Sequence, residues 1–202
     1  MGALAVAVLA VFALWGPIVS SNVEKPQYRV VESHGEIEIR QYSPQVVAEV
    51  VTTGERSEAI GKGFRLLADF IFGNNTASGE IAMTAPVTQE AGQKIDMTAP
   101  VTQEAKGDEW IVRFMMPSEY TIDTLPRPNN SRVAIRETQP KTFAAIRFTG
   151  NATEDRIEAH ETELEEFLLN KGYKAKQSAS YAFYNPPWTL PFLKRNEVLI
   201  EL

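Results

Sequence analysis

His34 and His160 are the only imidazoles in this 202-residue chain, which has no cysteine. Without a thiol there is no thiolate nucleophile, disulfide, iron–sulfur cluster, cysteine-type zinc site or covalent C-x-x-C-H haem attachment. His34 stands in Ser33-His34-Gly35, a turn sequence that predicts an exposed hairpin residue. His160 lies among Glu158, Glu161 and Glu163 and reads as a helix-surface residue with acidic neighbours. No G-x-S-x-G elbow, Walker loop or H-E-x-x-H pair occurs. Gly61-Lys62-Gly63 lacks the third glycine of a dinucleotide loop and falls inside a helical pattern, where it predicts close packing of a helix on a sheet. One segment has the composition of a ligand wall: Tyr181 to Asn196 reads Y-A-F-Y-N-P-P-W-T-L-P-F-L-K-R-N. Three prolines hold it extended, while Trp188, Leu190, Phe192 and Leu193 are too apolar for an ordinary loop. Such a segment either packs on the domain or lines an apolar pocket, with Lys194 and Arg195 placed to meet an anionic group.

The elements that must position these residues follow from patterning. Of the first 19 residues 16 are apolar, and the first charged side chain is Glu24. The run Ala3 to Trp15 has the length of a signal-peptide core and is short for a membrane span. Residues 1–21 are therefore expected to be an export signal or an N-terminal membrane anchor, and 22–202 the folded domain, exported to or facing the periplasm. A net charge of −6 argues against a general nucleic-acid binder, and 23% charged with 44% apolar residues indicates a folded chain.

Beyond that segment the chain repeats itself. Ile37 to Gly54 aligns with Val133 to Gly150 without a gap at an offset of 96 residues. The identities are Ile39/Ile135, Arg40/Arg136, Pro44/Pro140, Ala48/Ala144, Thr53/Thr149 and Gly54/Gly150. Each copy alternates with period two on both sides of its proline, as paired strands do, and a helical pattern follows each. Ile60, Phe64, Leu67 and Ile71 share one helical face that ends at Gly73; Ile157, Leu164 and Leu168 share another that ends at Gly172. Strands follow again at Trp110 to Met116, Tyr181 to Tyr184 and Glu197 to Leu202. Halves of about 27–117 and 118–202 with this order predict an α+β fold with an antiparallel sheet. A tighter repeat lies inside the first half: I-A-M-T-A-P-V-T-Q-E-A from Ile81 returns, with one change, from Ile95.

Taken together, E-I-R-Q-Y-S-P (Glu38 to Pro44), the helix running into Gly73-Asn74-Asn75, and M-T-A-P-V at Met83 carry a family signature. It continues through M-P-S-E-Y at Met116, Y-N-P-P-W at Tyr184 and R-N-E-V at Arg195. The ordered set resembles the SOUL haem-binding family, particularly its bacterial members, over about Tyr28 to Leu202. The resemblance implies a distorted antiparallel β-barrel built from two β-α-β repeats with two helices. It also implies a non-enzymatic protein that binds haem or a related tetrapyrrole non-covalently, in an apolar groove between the first helix and the C-terminal loop. By position, the groove residues would be Gly61, Phe64 and Ala68 on the helix with Asn185, Pro187, Trp188, Phe192 and Lys194 on the loop. Phe64 and Trp188 would supply apolar contact, and Lys194 or Arg195 would neutralise a propionate. In some members a histidine proposed as an iron ligand follows E-I-R; here that position is Gln41, so iron is either weakly ligated or the porphyrin is held mainly by apolar contact.

A second reading is open. Tandem β-α-β architecture also resembles the gyrase-inhibitor-like domains, which bind or hydrolyse small hydrophobic molecules. Hydrolysis would need a carboxylate in the groove, with Glu49 or Glu80 available, though no motif surrounds either.

Overall fold

The computed structural model describes residues 23–77 and 92–202. The apolar segment 1–21, the first M-T-A-P-V copy and Glu80 lie outside the described residues. Contacts divide the chain into two compact units: a central unit, Pro44–Gln139, and a terminal unit made of the residues up to Ser43 together with Pro140–Leu202. Each is an antiparallel sheet carrying one helix, which gives the α+β class expected from the patterning.

In the central unit the strands are β3 (Val46–Thr53), β5 (Val101–Lys106), β6 (Glu109–Met115) and β8 (Ala134–Glu137), in the order β5-β6-β3-β8. Helix α1 (Arg56–Ile71) packs on β3 and β6. A small ladder joins β4 (Asn75–Thr76) to β7 (Arg127–Pro128). Apolar alternation puts Ala48 and Val50 of β3, with Val112 and Phe114 of β6, beneath Leu67, Phe70 and Ile71 of α1; Ile95, Met116 and Leu125 complete the core. The second M-T-A-P-V copy enters here: Thr98 and Ala99 are buried, and the Thr98 hydroxyl donates to the Met115 carbonyl.

The Gly61-Lys62-Gly63 step does what its composition suggests, through Gly63. A Cβ at Gly63 would lie 2.6 Å from the Cβ of Val112, whereas one at Gly61 would meet only the Arg65 guanidinium at 3.8 Å. Gly63→Ala is therefore expected to destabilise by about 1–3 kcal/mol through overpacking. Gly61→Ala should raise stability by up to about 1 kcal/mol through helix propensity. Thermal melts of the two variants check this opposition in sign. The same close approach sets the rotation of α1. Leu67 and Ile71 face the sheet as expected, but Phe64 is pushed to the rim at 38% exposure, its ring meeting Phe114 edge-on at 5.3 Å between centroids.

In the terminal unit β1 (Tyr28–His34), β2 (Ile37–Tyr42), β9 (Lys141–Thr149), β10 (Ser180–Phe183) and β11 (Arg195–Glu201) take the order β1-β2-β9-β11-β10. Helix α2 (Glu154–Lys171) packs on β9 and β11. Its stripe Ile157, Leu164 and Leu168 is buried, its glutamate-rich remainder is largely solvated, and Gly172 closes it at φ 75°. At the edge of this sheet, β1 carries a register shift between Val30 and Glu32, a device that discourages strand addition.

The pairing partners are not those adjacent in sequence. β2 pairs with β9, placing Ile39 opposite Ala144; β8 pairs with β3, placing Ile135 opposite Ala48. These two couples are related by the 96-residue offset seen in the sequence. The glycines at the end of each matching segment, Gly54 and Gly150, both take positive φ, 107° and 97°. Among the described residues no helix is long and apolar enough to cross a membrane.

Candidate functional site

The Pro-rich segment of the terminal unit leaves β10 at Tyr184 and returns at β11. Its neck is closed by the Tyr184 amide donating to the Arg195 carbonyl at 3.2 Å, and by the Arg195 amide donating to Asn185 Oδ1 at 2.7 Å. Prolines remove backbone donors from the path. The remaining amides of Thr189, Leu193 and Lys194 bond to carbonyls three residues back, and Pro191–Leu193 forms one 3-10 turn. The result is a pinned loop with an apolar crown: Trp188 is 73% exposed and Phe192 69%, with Pro187, Leu190 and Leu193 also exposed. The 3-10 turn rests on β9, while Trp188 and Phe192 leave most of their apolar surface to solvent.

Of the residues expected to line a groove, Pro187, Trp188 and Phe192 belong to this crown. Asn185 instead closes the neck, and Lys194 donates from Nζ to Asn151 Oδ1 at 3.0 Å. Gly61, Phe64 and Ala68 lie on α1 of the central unit, where Ala68 is 9% exposed. Gln41, itself exposed near the end of β2, accepts a 2.6 Å hydrogen bond from Arg29. The two histidines are both engaged. His34 is the expected hairpin residue, 3.2 Å from the Glu32 carboxylate. His160, expected to be a solvated helix residue, stacks on Phe148 at 4.3 Å with Nδ1 2.6 Å from the Arg156 carbonyl. Among the described residues no three His, Cys, Asp or Glu side chains gather as a metal site.

Beneath the neck lies a cluster that motif reading did not single out. Glu197 of β11 is 1% exposed and Arg40 of β2 2%. Arg40 donates from both Nη atoms to Glu197, at 2.9 and 3.1 Å, and from Nε to Glu38 at 2.7 Å. Arg195 donates to Glu197 Oε1 from Nε at 3.0 Å and Nη2 at 2.6 Å, and the Tyr184 hydroxyl donates to Oε2 at 2.7 Å. Five donors thus converge on one carboxylate. Burial alone would push the Glu197 carboxyl upward, but the two guanidiniums and the phenol hold it below the ordinary carboxylate range. Burial and the adjacent carboxylate push the Tyr184 phenol far above its usual value, so it remains a donor; burial pushes the Tyr42 phenol up to about 12. Guanidinium faces lie over aromatic rings as well: Arg195 sits 4.2 Å from the Tyr184 centroid and Arg40 4.6 Å from that of Tyr28. The sequence did carry a signal. Alternation in E-I-R-Q-Y aligns Glu38, Arg40 and Tyr42 on one face of β2, and R-N-E-V aligns Arg195 with Glu197 on β11. Ala145 shares that face in β9, the strand between β2 and β11.

Glu49, a candidate acid or base, is similarly committed. It accepts from Arg113 Nε at 2.9 Å and from Arg136 Nε, and these charges hold its carboxyl below the ordinary range despite burial. A carboxylate locked as a double acceptor is an ion-pair partner rather than a proton donor at neutral pH.

The model of one protein family, described as SOUL heme-binding protein, matches residues 23–201. The chain belongs to the SOUL haem-binding family. Membership covers both units and agrees with the ordered signature from Glu38 to Val198. No curated protein matches this chain. Among solved structures, the C-terminal domain of EcmrR is similar at a TM-score of 0.58 with 10% identity, over 86% of this chain and 96% of that one. A hydrolase from Listeria innocua is similar at 0.53 with 11% identity, over 84% of this chain and 93% of that one. At such identities the likeness concerns the fold alone.

Proposed function

We propose that this SOUL protein is a non-enzymatic binder of haem or a related tetrapyrrole, held without covalent attachment. The observation that supports it is the braced apolar crown of Pro187, Trp188, Leu190 and Phe192, which offers flat aromatic area to a flat apolar ligand. Gly61, Phe64 and Ala68 on α1 are proposed as tetrapyrrole-contacting residues of the central unit, with the rim position of Phe64 leaving part of its ring available. Lys194, whose one partner among the described residues is the Asn151 amide oxygen, keeps its positive charge available for a propionate. The donor set suits the porphyrin faces better than the iron. Neither histidine is unengaged, and Gln41 stands where an imidazole would be needed. Residues 1–21 are proposed to export the chain or tether it at a membrane.

Titration of the purified protein with haemin, followed in the Soret band, tests this reading. Saturable binding at micromolar protein is expected, with metal-free protoporphyrin binding within a few-fold because iron adds little. Trp188→Ala with Phe192→Ala should weaken both ligands at least about tenfold, since each ring contributes about 1.5–3 kcal/mol when buried. No saturable Soret change would overturn the proposal.

A further inference from the structure

The terminal unit also holds an open pocket of about 440 Å³, lined by Lys25, Pro26, Gln27, Tyr28, Tyr184 and Arg195. It is distinct from the crown: Trp188 and Phe192 do not line it. Its chemistry follows from the buried cluster behind it. The Glu197 carboxylate accepts Arg40 twice, Arg195 twice and the Tyr184 hydroxyl once. A carboxylate has about four lone-pair sites, so its acceptor capacity is exhausted. Arg195 therefore binds inward through Nε and Nη2, with Nη2 also 3.5 Å from the Tyr28 hydroxyl, while Nη1 has no acceptor among the described residues. The guanidinium cannot turn away, because its face rests on the Tyr184 ring and two of its nitrogens are fixed. On the same wall, the exposed Lys25 ammonium forms no hydrogen bond or ion pair among the described residues.

The residues that line the pocket include two cations, Lys25 and Arg195, and no carboxylate. Behind them Glu197 pairs with Arg40 and Arg195, and the partly exposed Glu38 pairs with Arg40. A guanidinium fixed through two nitrogens, an exposed ammonium and two phenol rings have the chemistry to hold a small anion. We propose that this pocket binds a small molecule carrying a carboxylate or phosphate group, anchored by Arg195 Nη1 and Lys25 with its body against Tyr28 and Pro26. The site is independent of tetrapyrrole binding at the crown.

Isothermal titration with sodium benzoate and with inorganic phosphate, at low and at 0.3 M NaCl, tests it. Saturable binding of at least one anion is expected, weakening with salt as screening demands. Benzoate alone would assign an organic carboxylate, and phosphate alone a phosphate-bearing ligand. Lys25→Glu should raise the Kd at least about tenfold, because it reverses a charge within a few ångströms of the anion. Lys25→Arg should retain binding, and Lys25 is exposed, so both variants should melt as wild type does. Trp188→Ala should leave anion binding unchanged even where it abolishes the Soret response. The proposal falls if neither anion saturates below about 10 mM, a free energy of only about −2.7 kcal/mol. It falls equally if Lys25→Glu binds like wild type, or if Trp188→Ala removes anion binding.

Discussion

Glu197→Gln is expected to lower the unfolding free energy by about 3–5 kcal/mol, because the amide leaves the buried Arg40 with Glu38 as its one carboxylate partner and the half-buried Arg195 without its counter-charge. Set against a typical total of about 5–15 kcal/mol, that loss brings the protein close to unfolding at 37 °C. Chemical denaturation of wild type and variant measures it directly. Glu38→Gln, which removes the half-exposed partner of the same Arg40, should cost less than about 1 kcal/mol. The double variant Arg40→Met with Glu197→Leu should be less damaging than Glu197→Gln alone, since it removes buried charge from both sides at once. A pH dependence accompanies this. The Glu197 carboxyl lies below 4.5 in the folded protein, and so does that of Glu49. Unfolded carboxyls titrate near 4.5, so the stabilisation is complete above that pH and is lost as the pH falls through the folded values. In Glu197→Gln the acid limb of the stability curve should flatten; an unchanged acid limb would show that the cluster does not control it.

The second large effect belongs to Asn75, at the end of the helix in the central unit. It is 3% exposed and satisfies three backbone groups with one side chain. Its Nδ2 donates to the Phe70 and Gln93 carbonyls, both at 2.8 Å, and its Oδ1 accepts the Gln93 amide at 2.9 Å. This clamp ties the end of α1 to the chain that leads through Ile95 into the second M-T-A-P-V copy. Asn75→Ala leaves those backbone groups without partners and is expected to cost about 2–4 kcal/mol. Asn74→Ala, one residue away on an exposed side chain, should stay within about 1 kcal/mol. Equal melting temperatures for the two variants would refute the distinction. Hydrogen exchange should place the Asn75→Ala loosening at Gln93 and Ile95, whose amide bonds to the Ile71 carbonyl.

How far the chain could be read from its letters varies from element to element. Helix α2 was legible because Ile157, Leu164, Leu168 and Gly172 obey periodicity and capping, which depend on the helix alone. Helix α1 was legible in extent but not in rotation. Ile60, Phe64, Leu67 and Ile71 share a stripe on paper, yet the contact of Gly63 with Val112 turns Phe64 to the rim and brings Phe70 inward. The apolar loop was visible from its prolines and aromatics. The Asn185 bond that braces its neck joins residues ten positions apart and has no local signature.

The α+β class, the 96-residue self-similarity, the apolar loop and the family signature are all legible in the chain read as letters. Each of these is written in short-range periods, in turn residues or in composition. Which strands pair is settled by the folded units. The two similar segments do not each close on themselves: β2 lies beside β9 and β8 beside β3, in matching registers. That choice brings Arg40 to Glu197 across 157 residues of chain and turns two unremarkable polar letters into the most buried charge pair described. Alternation states which face a side chain occupies, but its partner depends on strand order, and strand order is set by packing over the whole unit.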